Sequence, residues 1–560
     1  MSLKVQKESI FCLDFTREKL GDFIPYEITI PELIYRKSQS NRMAVVFDSE
    51  KVSLTCQQIK NEIEQLAAGL ISTGLQLNDR VLICGYNHSH VLISTLAVAR
   101  AGMVFSLANP NFNRADQLRH LLEMGQFRAV ILCSPIRDSD QLYNYMLEFC
   151  PELKTSAKGQ LHSKSLPQLS HVILADEDHM HAGTFTLSEI FGKSTKERIE
   201  KLPPYQNWNS HRMAAIQFTM GSTARPKAIG LTHYQLINGC RIALNAIGIK
   251  KETVLSCALP MFRIPVFCLV AFTPFLVEAQ TVFPEPSPLP KYLFKSIEKY
   301  KCTTLLSNAA ALRLLLKVAQ SQKIRLLTVN TVILLGERVS AELLTSINSV
   351  MENARRIAVG MLLTETGAVP ILSDNTTDLG KAVGRPLDGY EMELSEVEKI
   401  SSKNRQVGEL RVRPLAATKF IGYGPHFNSF SEWINTGDVV AQTSDGNIEI
   451  ISHKDDLIYN RNDELVEHWK MEKIMSQHKD VKGVQVLQIC HGAPVVAIVV
   501  PKSLKCVPEF LKTDLTILCR NNKLHIPEKF AITDDFPRVN TRIQKYILRE
   551  MLRKGALVTY

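Results

Sequence analysis

The chain has 560 residues, 45% hydrophobic and 22% charged, with a formal net charge of +10. That length carries several cores and more than one domain, and the composition is that of an ordinary soluble globular protein. Lys and Arg are dispersed, with no long basic run and no aromatic interleaving, so the charge does not by itself indicate nucleic-acid binding. Twelve cysteines sit singly, without C-x-x-C or Cys/His metal spacing, which reads as buried thiols in a reducing compartment. No secretory signal is visible. The first two dozen residues carry Lys4, Lys7, Arg17 and Lys19 but also Glu8, Asp14, Glu18 and Asp22, and transit peptides are poor in acids. The chain ends Val558-Thr559-Tyr560, which is not the peroxisomal Ser-Lys-Leu signal.

From residue 31 to about 202, helical and strand patterns alternate. Ile59, Ile63, Leu66, Ala67 and Leu70 share one face at helical spacing. Short apolar runs at 80–84 and 129–132 read as strands, with a helix over about 91–101 between them. Strands alternating with helices predict parallel, doubly wound sheets. The polar, broken stretch 153–169 is expected on the surface. The apolar run 265–279 contains Pro274 and is too short to span a bilayer, so it reads as core. Beyond about 386 the chain turns β-rich, with strands near 408–412 and 448–451. Near Asp455-Asp456 it changes to a smaller mixed unit, and the domain boundary is placed there.

Five stretches invite chemistry. In 214–227 an apolar strand opens into Thr219-Met220-Gly221-Ser222-Thr223-Ala224-Arg225-Pro226-Lys227. Such a loop can aim backbone N–H groups, hydroxyls and one ammonium at a phosphate chain. It is not a Walker A loop, because Pro226 takes the second glycine position and Ala228 the Ser/Thr position. By itself it reads equally as a surface turn. Thr364-Glu365-Thr366 offers oxygen ligands for a hard cation, or is a plain helix start. Trp433-Ile434-Asn435-Thr436-Gly437-Asp438 ends in a carboxylate suited to two O–H donors, or is a turn. The segment 451–458 and the tail Phe536-Pro537-Arg538-Val539-Asn540-Thr541-Arg542-Ile543-Gln544-Lys545 complete the set.

Taken together, these stretches resemble the motifs of the adenylate-forming (AMP-binding) enzymes: acyl-CoA synthetases, luciferase-like proteins and peptide-synthetase adenylation domains. Within that superfamily the chain is most similar to the medium-chain acyl-CoA synthetases, whose best-known member is mitochondrial; the similarity spans about 31–554. The resemblance implies an α/β fold. A large N-terminal domain of doubly wound sheets with a β-rich subdomain (31–455) would precede a small, mobile α+β C-terminal domain (456–554). It implies ATP, CoA and Mg²⁺ as cofactors and a medium-chain fatty acid or related carboxylate as partner. No nucleic acid and no transmembrane segment are expected, and the compartment is mitochondrial, with the cytosol as alternative.

Residue by residue, the resemblance places 219–227 on the nucleotide phosphates, with Met220 for a usual serine and Ala224 and Ala228 for usual glycines. Thr364 contacts the α-phosphate, and Glu365 holds Mg²⁺. The adenine-stacking tyrosine aligns with Met361, the following glycine with Leu362, and Asp438 clamps the ribose. His453 stands where the family has a ribose-binding arginine, and Asp456 keeps the hinge aspartate. Arg542 aligns with the catalytic lysine that bridges carboxylate and α-phosphate, in a loop one residue shorter and without the preceding glycine. Histidine lacks arginine's fixed fork and charge, and arginine lacks the compact ammonium. Arg263 aligns with a histidine near the substrate carboxylate; it could pair with a carboxylate, but a surface position is expected. Three functions follow: a CoA ligase that activates a carboxylic acid to an acyl-adenylate, an impaired homologue that binds acyl or adenylate ligands, or a different acyl-adenylate chemistry such as luciferase-like oxidation, for which the residues give no independent support. All require the 219–227 loop and Asp438 to face one cleft.

Overall fold

The computed structural model describes residues 10–12, 23–133, 139–175, 181–219, 225–287, 289–336, 339–379, 382–395, 406–413, 420–428, 431–503, 508–539 and 542–560. The motif residues Met220, Gly221, Ser222, Thr223 and Ala224 lie outside them.

Two large sheets dominate. One has seven strands, running in space from Ala228–Thr232 through Met213–Phe218, Val104–Ala108, Arg80–Cys84, Ala129–Leu132 and His171–Leu174 to Thr184–Thr186. Its neighbours are parallel except the first pair. The strands Arg80–Cys84 and Ala129–Leu132 fall where the apolar runs put them. Their burial on both faces explains why those runs do not alternate. The second sheet has nine strands, parallel in the middle and antiparallel at both ends.

The helix Cys56–Ser72 starts on a capping box in which Thr55 and Gln58 each satisfy the other's backbone. Its apolar face is the expected one: Ile59, Ile63, Leu66, Ala67 and Leu70 are all buried. It packs on Ser89–Arg100, a helix buried almost all round and accordingly rich in apolar residues, with Ser94, Thr95 and Arg100 buried among them. The run 265–279 forms two short buried helices, Ile264–Ala271 and Thr273–Val277. Pro274 sits in the first turn of the second, where its missing N–H costs nothing. Among the described residues no helix is long and apolar enough to cross a membrane.

The 153–169 stretch corrects its surface assignment in part. It carries little regular structure, but Leu153, Leu161, Leu166 and Leu169 are buried in the core beside the seven-stranded sheet. Irregular backbone let these leucines turn inward, with Ser163 buried among them beside Cys150.

A five-stranded antiparallel sheet follows, ordered Ile10–Cys12, Glu391–Ser395, Gln406–Arg413, Ile434–Gln442 and Ile448–His453. Beyond it lies an α+β unit built on the strands Val481–Leu487, Val496–Pro501 and Lys529–Ile532. This unit has two apolar cores drawn wholly from residues 458–557, so its packing is local. It also carries the helices His468–Met475, Pro508–Asn521 and Lys545–Arg553.

Candidate active site

The strands Met213–Phe218 and Ala228–Thr232 run antiparallel with Phe218 opposite Ala228, so the phosphate-loop candidate is the connection of a hairpin. The loop's mouth is closed twice. Thr219 N–H donates to the Lys227 carbonyl at 3.0 Å, and Lys227 N–H donates to Thr219 Oγ1 at 2.9 Å. Thr219 thus spends one lone pair holding the loop shut and keeps its O–H for another partner. Pro226 turns its carbonyl to the His120 ring, 3.0 Å away.

The second wall follows the strand Arg356–Leu363. Thr364–Thr366 form a single tight turn, which Gly367 ends at φ 63°, a conformation glycine adopts freely. Glu365 is half-buried there. Burial pushes its carboxyl above the usual range, while its own backbone N–H and the Lys227 ammonium pull it partly back. The Lys227 ammonium lies over the Tyr423 ring, 5.5 Å from its centre. Burial and the Glu365 charge push the Tyr423 hydroxyl up to about 12. Met361, expected beside adenine, is instead buried in the core. Leu362, its neighbour along the strand, faces the cleft, because successive side chains take opposite faces of a sheet.

The third wall is the five-stranded sheet, where Asp438 lies directly opposite His453. Asp438 N–H donates to Thr436 Oγ1 at 3.1 Å, and that hydroxyl donates to the Leu410 carbonyl at 2.8 Å. Gly437 between them has φ 77°, and a Cβ there would stand 2.5 Å from His453 Nε2. His453 Nδ1 accepts the Asp455 N–H at 3.2 Å. A neutral ring that accepts at Nδ1 carries its proton on Nε2, so His453 presents a donor beside Gly437. Lys454 pairs with Glu409 at 2.8 Å.

These walls enclose one cleft of about 350 Å³. Thr219, Arg225, Lys227, Thr364, Glu365, Asp438 and His453 all line it, so residues more than two hundred apart in sequence meet there. Arg263 lines it too, half-buried, against the expectation of a surface position. It precedes the buried helix Ile264–Ala271, whose first N–H is taken by Gln217 Oε1 at 2.6 Å. Gln217, Glu409 and Tyr423 were not anticipated. Gln217 lies in the strand part of the 214–227 stretch, Glu409 in a strand interior and Tyr423 outside every motif, so no motif marked these side chains as facing the cleft.

Arg542 is not among the cleft's described lining residues, none of which lies beyond Asp455. Its backbone pairs with Val539 in a two-residue hairpin, and its side chain lies outside the described residues. Among the described residues no cluster of three or more His, Cys, Asp or Glu could hold a metal alone. Mg²⁺ is commonly bound through one or two carboxylates plus substrate phosphates, and Glu365 beside Lys227 and Arg225 fits that arrangement.

The family model for AMP-binding enzymes matches residues 35–420. The chain belongs to the AMP-binding enzyme family. This AMP-binding enzyme is 26% identical over 542 residues to the mitochondrial medium-chain acyl-CoA ligase ACSF2 of Rattus norvegicus, covering 92% of this chain and 85% of the relative. Among solved structures, the anthranilate CoA ligase AuaEII in complex with anthranoyl-AMP superposes with a TM-score of 0.76 at 18% identity, over 96% of this chain and 100% of that one. ATP-bound MatB from Rhodopseudomonas palustris superposes with a TM-score of 0.75 at 18% identity, over 95% and 100%. The fold is therefore that of adenylate-forming ligases, with a large α/β part and a small C-terminal domain. At these identities the structural neighbours establish architecture alone.

Proposed function

We propose that the chain is a fatty acid–CoA ligase of medium-chain type, activating a carboxylic acid with ATP to an acyl-adenylate and transferring it to CoA. The domains meet near 455–456 in this reading. The observation that carries it is the meeting of three separate segments, a hairpin loop, a tight turn and a strand pair, on one cleft. When bound, ATP would supply the activating adenylyl group, with pyrophosphate as the leaving group, and CoA the accepting thiol. Thr219, Arg225 and Lys227 hold the phosphates by hydroxyl, guanidinium and ammonium, the donors that charge building on phosphate oxygens requires. Thr364 sits beside them for the α-phosphate, and Glu365 holds Mg²⁺. Asp438 accepts from the ribose hydroxyls while His453 Nε2 donates into the same region. Arg542 approaches from the C-terminal unit when that unit turns about Asp456. The medium-chain preference and a mitochondrial location are supported by relatives such as rat ACSF2.

The test is pyrophosphate release from ATP with octanoate, with and without CoA, extended across C4–C16 acids. Release that depends on the acid supports the ligase; silence with every acid overturns it. A second reading, a homologue that binds acyl or adenylate ligands without turnover, is favoured by His453 in the arginine position. It predicts AMP binding with no pyrophosphate release. Recovery of release by Arg542→Lys, made with and without a glycine inserted before it, would locate the defect in that loop.

A further inference from the structure

The C-terminal helix Lys545–Arg553 is tied to the cleft wall by the partly buried Arg549 guanidinium. Arg549 Nη2 donates to the Asp455 carbonyl at 2.9 Å and to Asp456 Oδ1 at 2.7 Å. Its Nε donates to the Gln488 carbonyl at 3.3 Å, at the end of the strand Val481–Leu487. The Arg549 and Asp456 side chains are each only 13% exposed. One fork therefore joins the helix, the central sheet of the small unit and the Lys454–Asp456 turn. One helical turn earlier, Lys545 reaches toward the other Asp456 oxygen at 3.9 Å and toward Glu472 at 3.4 Å. Glu472 in turn accepts the Val486 N–H at 2.9 Å. Two acids and two bases balance, which a buried charge cluster requires. Leu548, fully buried, fixes the helix against the small unit's core.

The turn that Arg549 grips continues directly into the cleft. His453, Lys454 and Asp455 line the cavity, and the Asp455 N–H sets the His453 tautomer. We infer that Arg549 is a positioning residue: it holds the 453–456 turn against the helix Lys545–Arg553 and thereby couples nucleotide occupancy of the cleft to the placement of the C-terminal unit. This rests on the reading of the cleft as a nucleotide site. Lysine at 549 keeps the charge for Asp456 but cannot span the Asp455 and Gln488 carbonyls at once, because it has no planar fork. Arg553, on the same helix, donates to the Ile489 carbonyl at 3.0 Å and does not touch the turn; it is the control.

The experiment compares wild type, Arg549→Lys, Arg549→Gln and Arg553→Lys in the full chain, reading amide hydrogen exchange at 453–457 and AMP affinity by calorimetry. Arg549→Lys is expected to speed exchange at 453–457 severalfold and weaken AMP about tenfold, within the range ordinary for coupled sites. Arg549→Gln, which also removes the charge, is expected to do at least as much, and Arg553→Lys to do neither. Unchanged exchange in Arg549→Lys overturns the proposal, as does an equal effect of Arg553→Lys. Faster exchange with unaltered AMP affinity overturns the coupling. If wild type binds no AMP, the nucleotide reading of the cleft fails and the coupling falls with it, while the exchange comparison still decides whether Arg549 holds the turn.

Discussion

Replacing Gly437 by alanine tests the ribose end of the cleft through the backbone. At φ 77°, an L-residue pays about 1–2 kcal/mol for the left-handed conformation. The added Cβ would also stand 2.5 Å from His453 Nε2 and 2.8 Å from its Cε1. A normal contact is about 3.5–4 Å, so the ring must retreat by about 1 Å. Because the clash is with the far end of a side chain, the ring swings away and the fold survives. The His453 Nε2–H then no longer points where it did. Loss of one hydrogen bond to a ligand costs about 1 kcal/mol, hence AMP binding about fivefold weaker. Calorimetry with AMP on Gly437→Ala, His453→Ala and the double variant closes a thermodynamic cycle. The double variant should bind AMP no more weakly than His453→Ala alone, because both changes remove the same contact. Wild-type affinity in Gly437→Ala, or additive losses in the cycle, would refute the argument that Gly437 is there to make room for His453.

Asp438→Asn keeps shape and loses charge; hydrogen bonds to charged groups exceed neutral ones by about 1 kcal/mol, so AMP should weaken five- to tenfold. AMP analogues lacking the ribose hydroxyls should lose nothing further, and equal losses for both ligands would remove Asp438 from the sugar. Burial raises the Glu365 carboxyl, so folding favours its proton: that contribution is whole below the ordinary carboxylate range and is lost as pH rises through the raised value. Glu365→Gln should therefore melt higher than wild type at pH 7.5, the gap closing toward pH 4, while Mg²⁺-dependent nucleotide binding falls; a lower melting point at pH 7.5 would contradict it. His468 is 3% exposed and is pushed down to about 3 by burial first and by Lys545 next. Stability it contributes above pH 6.5 is lost as pH falls toward 3, on the order of 5 kcal/mol in full. His468→Gln should flatten the melting curve against pH over that window, and an unchanged slope would place the acid sensitivity elsewhere.

Much of this protein was legible from sequence because the relevant physics is local. Thr55 and Gln58 cap a helix from three residues apart. The runs 80–84 and 129–132 are strands because continuous apolar segments suit parallel strands covered on both faces. Thr364-Glu365-Thr366 and Thr436-Gly437-Asp438 keep the order of the family motifs along the chain, so each could be named as a candidate before any fold was known. The tertiary structure decided what those segments face. Alternation puts Met361 and Leu362 on opposite sides of a strand but does not say which side is the cleft. Arg263 could serve surface or site until the helix Ile264–Ala271 was packed beside Gln217. The leucines of 153–169 found a core through irregular backbone that leaves no period in the sequence. Tyr423 comes under the Lys227 ammonium only because residues 422–424 pair with the strand Ala228–Thr232. Sequence thus determined the chemistry each loop carries, whereas the meeting of those loops depends on strand pairing and packing between residues hundreds apart, which no local pattern encodes.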